Sequence, residues 1–232
     1  MKFEVLADAE AVAQRAARLV AEHARAAVKA RGRFSLAVSG GHTPWVMLRA
    51  LAGEELPWND VHVVQVDERV APADSDERNF KHLRESLLSH VPLPPGNLYA
   101  MPVEASDLPA AAAQYAETLE GLAGSPPALD LVHLGLGPDG HTASLVPGDP
   151  VLDVNDAWVG LTGLYQGRHR MTLTYPVLDQ ARCVMWLVAG DSKVDALRRL
   201  KSHDQTIPGG RVSSDNAIVV ADRAAAAGLG GD

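Results

Sequence analysis

A single cysteine, Cys183, stands in the whole 232-residue chain. One thiol cannot close an internal disulfide, so the sequence predicts a fold held by its core and a reducing, cytoplasmic setting. Cys183 lies inside the apolar run CVMWLV with no base nearby in sequence, which reads as a buried, inert thiol and not a nucleophile. No apolar run reaches the roughly 20 residues that a membrane-spanning helix needs. Positive charge is also short: 21 Lys and Arg face 29 Asp and Glu, for a net charge of -8. That balance excludes a general nucleic-acid or membrane-surface binder, and any anionic ligand would require locally placed cations. A secretory core is absent from the N-terminus. The alanine- and arginine-rich stretch 7–28 has the tone of a transit peptide, but Asp8, Glu10 and Glu22 oppose that reading. Its apolar positions recur at helical spacing, so an ordinary surface helix is expected there.

What is present is 47% hydrophobic and 22% charged residues, the composition of a soluble globular protein. Apolar runs of strand length alternate with helical patterns. Strands are expected at 34–39, 61–66, 129–137, 170–175, 183–189 and 217–221. Helices are expected near 44–51, 79–89, 109–122 and 193–200. Alternation of this kind implies an α/β fold, a mostly parallel twisted sheet with helices on both faces. No repeat and no linker divides the chain, so one α/β domain over 1–232 is expected. Ligands in such sheets bind beyond the carboxyl ends of the strands, and three polar clusters fall there: SGGHTP, DERVAP and GPDGHTAS.

In the first cluster, Ser39, Gly40 and Gly41 lead to Thr43, suited to cap a helix, and to Pro44, suited to its first turn. Free amides at such a turn form an anion cradle. The spacing and lysine of a Walker loop are missing. In the second cluster, Asp67 follows an interior strand and needs a partner: a sugar hydroxyl, a cation or Arg69. The third cluster spells G-x-G-x-x-G at Gly135, Gly137 and Gly140, the dinucleotide fingerprint. Asp139 inside the supposed cradle would repel a pyrophosphate, and Pro138 removes an amide from it. The fingerprint also normally opens the first βα unit, whereas this one follows several. The dinucleotide reading is therefore rejected in favour of a sharp turn presenting Asp139 and His141. A histidine oriented by a nearby carboxylate can serve as a general base. Clustered metal ligands are lacking, so no metal and no organic cofactor are expected. Ser144 lacks the G-x-S-x-G elbow of a nucleophilic serine.

Taken together, SGGHTP, DERVAP, GLGPDGHTASLVPG, RMTLTYPVL, VAGDSKVDAL and IPGGRV…DRAAA resemble the 6-phosphogluconolactonase family, in order, from Ser39 to Ala227. The resemblance implies a Rossmann-like fold related to sugar-phosphate isomerases and deaminases. It also implies hydrolysis of 6-phosphoglucono-δ-lactone to 6-phosphogluconate in the oxidative pentose phosphate pathway, without metal or cofactor. Carried over residue by residue, it implies His141 as the base for water and Asp139 as its partner. Gly40, Gly41 and Thr43 would form the phosphate-side loop, with Ser39 beside them. Arg170 and Lys193 would be the basic residues near the phosphate, and Asp67 and Arg69 the D-E-R pair at the substrate. Arg78 stands where a serine is common, so no substrate contact is carried over to it. A small-molecule substrate is the expected partner, with no nucleic acid, no membrane, and a monomer or small homo-oligomer. Two alternatives are a glucosamine-6-phosphate deaminase-like enzyme and a non-enzymatic sugar-phosphate sensor. The first would need an acid where this chain has Val146, and the second usually carries a DNA-binding module, of which the sequence shows no basic recognition helix.

Overall fold

The computed structural model describes residues 1–230. In chain order the elements are β1 (Lys2–Leu6), α1 (Ala9–Arg31), β2 (Phe34–Val38), α2 (His42–Leu51), β3 (Val61–Gln65), β4 (Asp67–Arg69), α3 (Asn79–Ser86), β5 (Leu98–Tyr99) and α4 (Leu108–Ala123). After them come β6 (Leu131–Gly135), β7 (Val159–Leu161), β8 (Arg170–Leu173), α5 (Tyr175–Gln180), β9 (Val184–Val188), α6 (Val194–Lys201), α7 (Pro208–Arg211) and β10 (Ala217–Asp222). Seven strands form one sheet in the order β1-β10-β9-β6-β2-β3-β5. Every pairing in it is parallel.

The period-2 alternation of strand side chains divides the core in two. Phe34, Leu36 and Val38 of β2 pack with α1, α2 and α3 on one face. Ala37, between them, points to the other face, where α4, α5 and α6 supply the cover. β2 and β9 are buried along their whole length, which accounts for their near-continuous apolar sequence.

Four expectations change. The helix of 7–28 is more than an ordinary surface helix: Ala13, Ala16, Ala17, Ala21, Ala24 and Ala27 bury a whole stripe of α1. Small side chains let the helix lie close against the sheet, and Asp8 caps it by accepting the Ala11 N–H at 2.8 Å. Strand β1 at the sheet edge was not read from the sequence. RMTLTY does not join the parallel sheet; β8 pairs antiparallel with β4 and β7 in a separate three-stranded sheet. The alternating pattern of RMTL suits either sheet, and its partners are three-residue strands too short to show a period. Lastly, Thr43 is not the cap of α2: Gly41 holds that position with no side-chain bond, and the helix starts at His42.

Candidate active site

The carboxyl ends of β2, β3, β6 and β9 open into one cavity of about 370 Å³. It lies over the gap between β2 and β6. From β2 the sheet grows through β3 to β5, and from β6 it grows the opposite way through β9 to β10. Such a reversal leaves a crevice between diverging connections. Ser39, Gly40, Gly41, Thr43, Asp67, Arg69, His141, Arg170 and Lys193 all line this cavity. Asp139 stands one step behind, its carboxylate on His141.

After β2 the chain turns tightly into α2. The Ser39 hydroxyl donates to the His133 carbonyl at 2.9 Å, and the Ser39 N–H donates to His133 Nδ1 at 3.3 Å. His133 is fully buried, which pushes its pKa down to about 4, so a neutral imidazole braces the turn. A Cβ on Gly40 would sit 1.9 Å from Asn79 Oδ1, so only glycine lets the loop pass there. With Gly41 as cap, the first-turn amides of α2 have no intrahelical partner and face the cavity with the positive end of the helix dipole.

In β4 the alternation sorts D-E-R by task. Glu68 is wholly buried, and its carboxylate accepts the N–H groups of Arg69, Asn79 and Phe80 at 2.7 to 2.9 Å. It thereby caps α3, and Arg78 joins it in an ion pair at 3.2 Å whose angle is not that of a hydrogen bond. Arg78 is thus a core strut. Asp67 and Arg69 point the other way. Asp67 is buried, accepts the Ser144 hydroxyl at 2.6 Å, and has its pKa raised by burial against the pull of Ser144, Arg69 and Arg170. Arg69 donates to the Glu77 carbonyl at 2.9 Å and to Asn79 Oδ1 at 2.8 Å. Sequence reasoning missed Asn79, which lines the cavity and orients Arg69. It set Ser144 aside as a nucleophile; its hydroxyl instead serves Asp67. Neither partnership has a sequence signal: Asn79 reaches Arg69 across a loop of irregular structure, and Ser144 reaches Asp67 from a distant segment.

The turn after β6 closes on itself. Gly137 N–H donates to the His141 carbonyl at 2.8 Å, and Gly140 N–H to the Gly137 carbonyl at 3.0 Å. A Cβ on Gly137 would fall 2.1 Å from His141 Nδ1. The glycine therefore makes room for the imidazole, not for a pyrophosphate. His141 Nδ1 lies 2.6 Å from Asp139 Oδ1. Burial pushes the Asp139 carboxyl up, but the His141 N–H and ring outweigh it and hold the group below its ordinary value. An ionised carboxylate only accepts, so Nδ1 is the donor in this contact, and the tautomer it selects is the one whose lone pair lies on Nε2.

Three cations line the cavity: Arg69, Arg170 and, near Asp139, Lys193. The β4–β8 register sets Arg69 directly opposite Arg170, a like-charge pair that costs stability unless an anion intervenes. Arg170 is buried, and its Nε has no hydrogen-bond partner among the described residues. Burial lowers its pKa, Arg69 adds repulsion, and Asp67 opposes both. Burial likewise lowers the Lys193 ammonium against the attraction of Asp139. Among the described residues no group of three His, Cys, Asp or Glu side chains is placed to hold a metal ion.

Residues 7–220 match the family of glucosamine-6-phosphate isomerases and 6-phosphogluconolactonase. The 6-phosphogluconolactonase of a Synechocystis species is 39% identical over 200 residues, 84% of this chain and 83% of that protein. The 6-phosphogluconolactonase of Mycobacterium tuberculosis is 34% identical, covering 98% of both chains. The crystal structure of 6-phosphogluconolactonase from Thermotoga maritima superposes with a TM-score of 0.85 at 26% identity, over 95% of this chain and 98% of that one.

Proposed function

The chain belongs to the glucosamine-6-phosphate isomerase/6-phosphogluconolactonase family, and from that premise we propose that it hydrolyses 6-phosphoglucono-δ-lactone to 6-phosphogluconate, a step of the oxidative pentose phosphate pathway. One observation carries the reading: an Asp139-oriented imidazole and a set of cations line one cavity. Water attacks the lactone carbonyl while His141 Nε2 takes its proton. The ring C–O bond then breaks, and the ring oxygen takes the proton back from His141, leaving as the hydroxyl of the open acid and restoring the base. A lactone is already activated, so a base and donors for the developing oxyanion suffice without a covalent nucleophile. The phosphate is received by the Ser39–Gly41 turn and the first turn of α2, with Arg170 and Lys193. Its charge relieves the repulsion between Arg69 and Arg170, and these cations offset locally the net charge of -8 that would otherwise repel it. Asp67 and Arg69 take the sugar portion. The deaminase alternative lacks support at Val146, which is buried and apolar where that chemistry would need an acid.

The deciding comparison sets wild type against Arg170→Ala on the phosphorylated lactone and on plain glucono-δ-lactone. Charge-assisted bonds are worth about 1.5–3 kcal/mol, so kcat/KM on the first substrate should fall about 10–100-fold. The plain lactone should be turned over almost as before. Equal losses on both substrates would remove Arg170 from the phosphate site.

A further inference from the structure

Tyr165 does not line the cavity, yet its ring touches two residues that do. It meets the His141 imidazole edge-on, with centroids 5.8 Å apart and planes at 63°. The Arg170 guanidinium lies over the same ring, 4.8 Å from its centroid. The Tyr165 support is rigid. Tyr165 and Arg168 exchange N–H to carbonyl bonds of 3.0 and 3.2 Å across a two-residue turn. Gln166 and Gly167 hold φ of 52° and 78° there, the left-handed pair of a tight hairpin turn matched to strand twist. The turn is tied at both flanks. Gln166 Oε1 accepts Arg170 Nη2 at 3.1 Å. Arg168 donates to Glu77 Oε2 through Nε at 3.0 Å and Nη2 at 2.7 Å, joining the hairpin to the loop that holds Arg69.

We propose that Tyr165 is a positioning residue that couples the two ends of the site, fixing the plane of the His141 ring and the direction of the Arg170 guanidinium through one aromatic surface. The inference rests on the catalytic reading above. Asp139 fixes His141 at one nitrogen only, which leaves the ring free to swing about that contact; the Tyr165 ring blocks the swing. Among the described residues Arg170 has no carboxylate within hydrogen-bond reach, and the ring face restrains it without consuming the N–H donors a phosphate needs. Both contacts use the ring and neither uses the hydroxyl, so phenylalanine preserves them. Each is worth roughly 2–10-fold in an equilibrium.

The test compares Tyr165→Phe and Tyr165→Leu with wild type by two measurements: the Kd for inorganic phosphate, and kcat on plain glucono-δ-lactone, which lacks the phosphate. Tyr165→Phe should stay within about twofold of wild type in both. Tyr165→Leu should weaken phosphate binding and lower kcat on the plain lactone, each by roughly 3–10-fold. The joint loss is the signature of coupling. In Arg170→Ala the further change Tyr165→Leu should leave phosphate affinity where it is. Wild-type protein inactive on both lactones would overturn the catalytic reading and this role with it. An active wild type whose leucine variant matches it in both measurements would overturn the role of Tyr165 alone. So would a phenylalanine variant as impaired as leucine, since the hydroxyl would then carry the effect, and so would losses that merely follow a fall in Tm.

Discussion

Asp67 shows function placed against stability. Burial raises its carboxyl above the ordinary value of 3.8 despite Ser144 and two arginines. A carboxyl raised in the folded state binds its proton more tightly there than in the unfolded chain. The stability this confers is complete below the unfolded value and is lost as pH rises through the folded one. Asp67 therefore becomes a growing burden as pH rises, and Asp67→Asn should raise Tm increasingly with pH. Each kcal/mol relieved is worth about 2–4 °C in a chain of this size. The gain should shrink toward pH 4, and kcat/KM should fall. Calorimetry at several pH values checks this; a lower Tm at neutral pH would mean that the partners of Asp67 more than offset its desolvation. His141 is the converse case, a side chain whose loss should spare the fold. His141→Ala should lower kcat about 10²–10⁴-fold with Tm nearly unchanged, and near-normal turnover by a folded variant would remove the general base from the mechanism.

The turns at strand ends hold the reacting groups by close approach. Gly137 and His141 are four residues apart in one turn, and the imidazole occupies the space a Cβ would need. Gly137→Ala should push the ring off Asp139 and lower kcat by about tenfold or more, beyond the roughly 1–3 kcal/mol that overpacking costs in stability. Gly121 makes the contrast within one protein. It lies exposed in α4 with nothing within 4 Å of an added Cβ. Gly121→Ala should raise stability by about 0.5–1 kcal/mol through helix propensity alone and leave turnover intact. Urea unfolding with parallel kinetics separates the two. The same close packing ties IPGGRV to the site although it does not line the cavity: Gly209 donates its N–H to the Gly140 carbonyl at 2.9 Å and so buttresses the D-G-H turn.

The molecule as a whole assembles the cavity from two sheets. The seven-stranded sheet supplies four carboxyl ends at its switch point, and the three-stranded sheet lays Arg69 and Arg170 side by side there. In the proposed mechanism the charge that receives the phosphate comes from Arg170 and Lys193, and Asp139 orients the base. Activity should accordingly survive exhaustive dialysis against a chelator. Loss of turnover restored by one divalent ion would show that Asp139 and His141 belong to a metal site.

The alternation of apolar runs and helical patterns, the three polar clusters at strand ends, and the pairing of Asp139 with His141 could all be read along the chain. They depend on residues near one another in sequence, where period and spacing carry the signal. Rejection of the dinucleotide loop was equally local, since Asp139 and Pro138 lie inside the motif. Tertiary structure decided what no window contains. β4 and β7 are too short to show a period, so the second sheet exists only through its pairing with β8. Asn79, Ser144 and Tyr165 acquire their roles from partners brought close by that pairing and by the turns after β3 and β6. The direction of each D-E-R side chain follows from strand alternation, but which face is cavity and which is core depends on α3 docking against Glu68. Local sequence sets which residues can stand at a strand end; packing across distant segments sets which of them meet.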